Sequence, residues 1–216
     1  MKHIVAINAS PRTAWNTATL VRKAAEGAQT ENAEIQVFDL YRLEKFTGCI
    51  SCFACKLPPN EGRCVCRDGL APVLEAIRNA DGLILGTQNY LGDVSAGFRA
   101  LYERLVFQYL TYKTDPRSYA TRKIPVLLIM TSNSPKEFYG PIGYRKMLKG
   151  YQKTLDSVVG NTKLFVSGNT LQVKDYSRFN WTMFNPEAKM VRHETVFPKE
   201  CGQAYALGAE MVANPW

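Results

Sequence analysis

No apolar run in this sequence approaches the roughly 18–20 residues that a membrane span requires. No secretory leader is expected either. Met1–Ile7 reads straight into a strand, so the chain is expected to work in the cytoplasm, where thiols stay reduced. Histidine is scarce: only His3 and His193 occur, and neither sits in a ligand-like cluster. There is no basic run of five or more. The net charge is +8, but Lys and Arg are scattered among Asp and Glu. Nucleic acid is therefore not expected as a partner, and the charge suits small molecules that carry phosphate. No G-x-G-x-x-G and no Walker lysine appear, which argues against an ordinary dinucleotide fold and a nucleoside triphosphatase. With no internal repeat and no linker, residues 1–216 read as one domain.

What is present is an alternation of strand and helix patterns. Strands are expected at His3–Asn8, Glu34–Phe38, Gly82–Gly86, Ile124–Met130 and Lys163–Ser167. Helices are expected at Thr17–Gln29, from Asp68–Pro72 onward, from Ser95, at Gly143–Val159 and at Lys199–Val212. The second strand alternates strictly, as a half-exposed edge does, whereas the third is continuously apolar, as a central strand is. Five such units predict an α/β fold: a doubly wound parallel sheet in the order 2-1-3-4-5, with helices on both faces. Residues 170–197 show no clear period. Their aromatic content (Phe179, Trp181 and Phe184 within Tyr176–Phe197) is the kind that anchors interfaces, so a homodimer or homotetramer is expected.

In such a sheet, ligands bind beyond the carboxyl ends of the strands where the strand order reverses, here between strands one and three. Both loops at that point are unusual. The first, Asn8–Ala18, joins a buried strand to a helix start, where unpaired N–H groups and the helix dipole favour phosphate. Ser10, Asn16 and Thr17 offer hydrogen bonds there and Arg12 adds charge, although Ser, Asn and Thr are also ordinary helix caps. The second loop runs from Thr87 to Asp93 and on to Ala96. Tyr90 presents a flat surface to an aromatic ligand, and Gly92 permits close backbone approach.

A cysteine-rich loop, residues 47–68, follows the second strand. Cys49, Cys52 and Cys55 stand at x2 spacing, and Cys64 follows after eight residues. That set can wrap an iron–sulfur cluster; redox-active or free thiols and structural zinc are the other readings. Cys66, two residues past Cys64, is expected to point away along extended chain, although the long gap would let it replace Cys64. Cys201 is expected to be a buried thiol. The loop should emerge at the same sheet edge as the first loop and approach whatever binds there, in its own subunit or a partner's.

The two ligand loops resemble the NADPH-dependent FMN reductase branch of the flavodoxin-like superfamily. Its Ser-Pro-Arg loop ending in Asn-Thr is matched by Ser10-Pro11-Arg12 and Asn16-Thr17. Its Pro-x-Tyr-aromatic-Gly loop ending in Ser/Thr-Ala is matched by Tyr90, Gly92 and Ser95-Ala96, with Gln88 in place of proline and Leu91 in place of the second aromatic. The cysteine loop resembles that of the iron–sulfur flavoproteins, with a longer final gap. The tail, through Asp175-Tyr176-Ser177, Phe197-Pro198-Lys199 and Ala204–Gly208, resembles the same family, so the likeness covers nearly the whole chain.

The resemblance implies FMN held by Ser10, Arg12, Asn16, Thr17 and Ala18, and by Thr87, Gln88, Asn89, Tyr90, Leu91, Gly92 and Asp93. It implies hydride from NADPH or NADH and electron delivery to a quinone, flavin, metal or protein acceptor. A [4Fe–4S] cluster on Cys49, Cys52, Cys55 and Cys64 would pass electrons singly. No catalytic side chain is required, because the cofactor carries the chemistry. The rivals are a non-enzymatic flavodoxin-like electron carrier and a cysteine-based redox sensor.

Overall fold

The computed structural model describes residues 1–216. Five parallel strands form one sheet in the order β2-β1-β3-β4-β5. They are β1 (Lys2–Asn8), β2 (Ala33–Asp39), β3 (Gly82–Gln88), β4 (Val126–Thr131) and β5 (Thr162–Ser167). The expected order is the observed one, and β2 lies at an edge. β4 starts two residues later than its sequence pattern, after Pro125, which supplies no N–H to a ladder.

Alternate residues of each strand feed two cores. Val5, Ile7, Leu83, Leu85, Val126 and Leu128 pack beneath α2 (Ala71–Asn79), α3 (Ala96–Tyr109) and α4 (Tyr144–Val158). Ile4, Ala6, Ile84, Leu127 and Ile129 pack beneath α1 (Asn16–Thr30) and α6 (Phe197–Ala213). The period of two in a strand and the covering of both faces together account for the continuously apolar β3. α1 and α6 meet almost backbone to backbone: a Cβ on Gly208 would stand 1.8 Å from the Ala24 carbonyl oxygen.

The segment 170–197, which shows no period in sequence, contains α5 (Pro186–Thr195). Asn185 caps it by accepting a hydrogen bond from the Ala188 N–H at 2.9 Å, and Pro186 opens the first turn. Lys189 is its one buried residue, so no apolar stripe marks it. Helix-start chemistry was its only sequence signal.

Candidate functional site

A cavity of about 320 Å³ opens at the carboxyl ends of the strands. The β1 loop contributes Ser10, Arg12, Trp15, Asn16 and Thr17, and the end of β3 contributes Gln88, Asn89 and Tyr90. The two loops singled out by their sequence therefore meet. The end of β4 and its loop, the segment that follows β5 and the tail complete the wall: Thr131, Ser132, Asn133, Thr170, Leu171, Gln172 and Trp181. None of these carried a ligand-like pattern, although the order 2-1-3-4-5 places the β4 loop beside the β3 loop.

The β1 loop is braced on both sides. Asn8 accepts from the Ser10 N–H at 3.0 Å and donates to Asp39 at 2.8 Å. Asn16 Nδ2 and Trp15 Nε1 both donate to the Leu171 carbonyl, at 2.7 and 3.0 Å. Arg12 donates to the Gln172 carbonyl. The Thr17 and Thr131 hydroxyls lie 2.7 Å apart, linking α1 to the end of β4. α1 itself starts without a side-chain cap, so its first N–H groups are left for another acceptor. No Asp or Glu lines the cavity.

Gln88 supplies a second requirement. Both atoms of its carboxamide are buried and have no hydrogen-bond partner. A buried polar group is nearly always satisfied, so this amide calls for a ligand edge that both donates and accepts. The cavity thus offers an uncapped helix start, with Tyr90 and Trp181 as flat surfaces and the unpaired Gln88 amide buried behind its wall.

Five of the expected cofactor residues lie outside this cavity. Ala18, in the first turn of α1, is fully buried. Thr87 is fully buried and accepts from the Ser95 N–H at 3.1 Å, holding the helix start of α3. Leu91 lines a neighbouring cavity. Gly92, at φ +90°, turns the loop, and Asp93 accepts from the Tyr151 hydroxyl at 2.8 Å. Burial, with the Asp93 carboxylate holding the hydroxyl proton, pushes Tyr151 up to about 12 despite the opposing Arg99. Asp93 and Tyr151 therefore brace the loop.

The cysteine loop does not reach this cavity. It runs along the carboxyl-terminal half of α3, and its sulfurs line a separate pocket of about 20 Å³ with no residue in common. Residues of α3 hold it there. Arg104, whose side chain is 1% exposed, pairs with both oxygens of Asp68 at 2.6 and 2.7 Å. The same guanidinium donates to the carbonyls of Thr47 and Cys66, at 3.4 and 3.0 Å, so one side chain ties both ends of the loop. Gln108 accepts from the Cys64 N–H at 3.0 Å, and the Lys56 ammonium donates to carbonyls at the end of α3.

This anchoring bends the chain back, so Cys66 lines the same pocket as Cys49, Cys52, Cys55 and Cys64 and does not point away. Cys201 is half-buried on α6. The donor chemistry fits a cluster in kind: five thiols, an apolar lining and two nearby cations. As arranged, however, no three of the Cys, His, Asp and Glu side chains stand close enough to share a metal ion.

Residues 2–137, which include both ligand loops and the cysteine loop, match the model of the NADPH-dependent FMN reductase family. The chain belongs to that family.

Among curated relatives, an iron–sulfur flavoprotein of Methanocaldococcus jannaschii is 37% identical over 101 residues, 47% of this chain and 50% of that protein. One from Methanosarcina thermophila is 30% identical over 103 residues, 48% of this chain and 52% of that protein. The chain thus spans about half the length of the curated relatives it matches. Among solved structures, the NAD(P)H:quinone oxidoreductase from Methanothermobacter marburgensis superposes with a TM-score of 0.69 at 14% identity, covering 97% of this chain and 96% of the other. An azoreductase from Bacillus anthracis gives 0.66 at 12% identity, covering 97% and 100%. At these identities the likeness is one of fold, and the fold is flavodoxin-like.

Proposed function

We propose that this FMN reductase family member is a flavin oxidoreductase that takes hydride from NADPH or NADH and passes electrons to a quinone, flavin or protein acceptor. The cavity supports this through one observation above others: the uncapped start of α1 opens into it between Ser10, Asn16 and Thr17, with no carboxylate in the wall. Ser10, Asn16, Thr17 and the first N–H groups of α1 would hold the phosphate of FMN, with Arg12 adding charge. Gln88 would meet the polar edge of the ring, and Tyr90 and Trp181 would flank it. Bound there, FMN would supply the hydride and electron chemistry. The protein's share is to orient the ring and exclude water through the tail.

Cys49, Cys52, Cys55 and Cys64 would hold a [4Fe–4S] cluster, with Cys66 the alternative fourth ligand. Support comes from the spacing, from the shared pocket and from relatives that carry the name iron–sulfur flavoprotein. Reduced thiols in that pocket suit the cytoplasm. Titration of the flavin-free protein tests the flavin assignment. FMN should bind at least about a hundredfold more tightly than riboflavin, which lacks the phosphate. Equal affinities would remove the phosphate site from the account.

A further inference from the structure

Beside the flavin cavity lies a second one of about 750 Å³, which shares Asn89, Ser132 and Asn133 with it. In its wall is Lys189, on α5, only 3% exposed. The ammonium donates to Asn133 Oδ1 at 2.6 Å, Asn169 Oδ1 at 2.8 Å and the Thr170 carbonyl at 3.3 Å. It also lies 5.3 Å from the centre of the Phe184 ring. Every one of these partners is neutral. Glu200, the buried carboxylate of α6, is committed elsewhere: it pairs with Arg192 at 2.8 Å and Lys136 at 3.1 Å, and accepts from Ser167 at 2.6 Å.

A buried charge is ordinarily paired, because desolvating it alone is expensive. Lys189 has hydrogen bonds but no counter-charge, and no Asp or Glu lines the cavity. The ammonium has a second effect. It can only donate, so both asparagines turn their oxygens to it and their Nδ2 groups away from it. The wall therefore combines a positive potential with free N–H donors. Around these stand Phe138, Tyr144 and Phe184, which suit a flat apolar body.

We propose that this second cavity binds a planar aromatic anion, an arene carrying a carboxylate or equivalent oxyanion, with Lys189 as its counter-charge and Asn133 and Asn169 as donors. A ligand there would lie against the flavin, in the place of an electron acceptor. That part rests on the flavin assignment; the binding does not. Burial, with repulsion from Arg192 one turn on, brings Lys189 down to about 8. Tyr144 from α4, Lys136 from the β4 loop and Glu200 from α6 are the other titratable groups nearby. A bound anion favours the charged lysine, so affinity falls as pH rises and the proton is lost.

Calorimetric titration with naphthoate and its neutral twin naphthamide tests this, on the FMN-loaded and the flavin-free protein. Naphthoate should bind at least about tenfold more tightly than the amide, and more weakly at about pH 9 than at about pH 7. Lys189→Met should erase the preference for the acid. Asn133→Asp, which hands the ammonium a carboxylate of its own, should also lose naphthoate and serves where the methionine variant does not fold. Equal binding of acid and amide by the native protein, or an undiminished preference in Lys189→Met, would overturn the proposal. So would naphthoate binding that FMN abolishes, which would give the lysine to the flavin ring itself. Failure of the protein to take up FMN would sink the flavin assignment alone, because the titration of flavin-free protein still reads the anion preference.

Discussion

At the scale of single residues, Ser10 and Lys189 place the account at most risk. Ser10 is 6% exposed and lines the cavity proposed for FMN, so a carboxylate there would confront the proposed phosphate in a partly buried site. Ser10→Asp should weaken FMN binding by about tenfold or more, read by fluorescence titration; an unchanged affinity would mean that the phosphate sits elsewhere. For Lys189 the sign follows from its low folded value, about 8 against an ordinary 10.5. Between those values the unfolded chain keeps a proton that the folded chain has released. The native protein should therefore gain stability as pH rises through that window, and Lys189→Met should lack that gain when urea midpoints are compared. Ser10, Asn16 and Thr17 were legible in the sequence because hydroxyl and amide groups before a helix start have a known use. Lys189 and Arg104 were not, because a lysine or arginine in a helix ordinarily faces water, and only the tertiary fold buries these two.

At the scale of elements, α3 joins two regions that the sequence shows only as separate motifs. Ser95 caps it just after the loop that follows β3, where its Oγ accepts from the Phe98 N–H at 3.3 Å. Nine residues on, Arg104 holds the cysteine loop, roughly 14 Å along a helix that rises about 1.5 Å per residue. Within one subunit the cysteine pocket and the candidate FMN cavity share no residue. Arg104→Met would strand Asp68 and free both ends of the loop. It should destabilise the fold by about 3 kcal/mol, as breaking a buried ion pair does, measured by urea denaturation. Separately, anaerobic preparations should hold about four irons per chain, and Cys52→Ser should lose them while keeping FMN. Metal-free, fully flavinated protein from such a preparation would leave the cysteines as free thiols. α5 escaped the sequence because a helix with one buried residue has no stripe, although Asn185-Pro186-Glu187 carries its start signal.

At the scale of the whole molecule, the sheet order was readable because β3 and β4 are apolar on both faces and β2 is not, which leaves few ways to wind the chain. The cavity as a whole was less readable. Half of its wall comes from the β4 and β5 loops and Trp181, which only the completed sheet brings together. Trp181 is stacked on Phe179 at 4.3 Å and stays 41% exposed, so the aromatic tail is still the surface on which a second copy is expected. Light scattering at micromolar concentration should report a dimer or tetramer; a monomer would confine the tail to covering its own cavity. Anaerobic mixing of the FMN-loaded protein with a reduced nicotinamide reads the hydride chemistry itself. NADPH or NADH should bleach the visible flavin band, and a quinone added afterwards should restore it. If neither nicotinamide bleaches the band while a reduced ferredoxin does, the protein is an electron carrier and the account of it as an NAD(P)H-dependent oxidoreductase is contradicted.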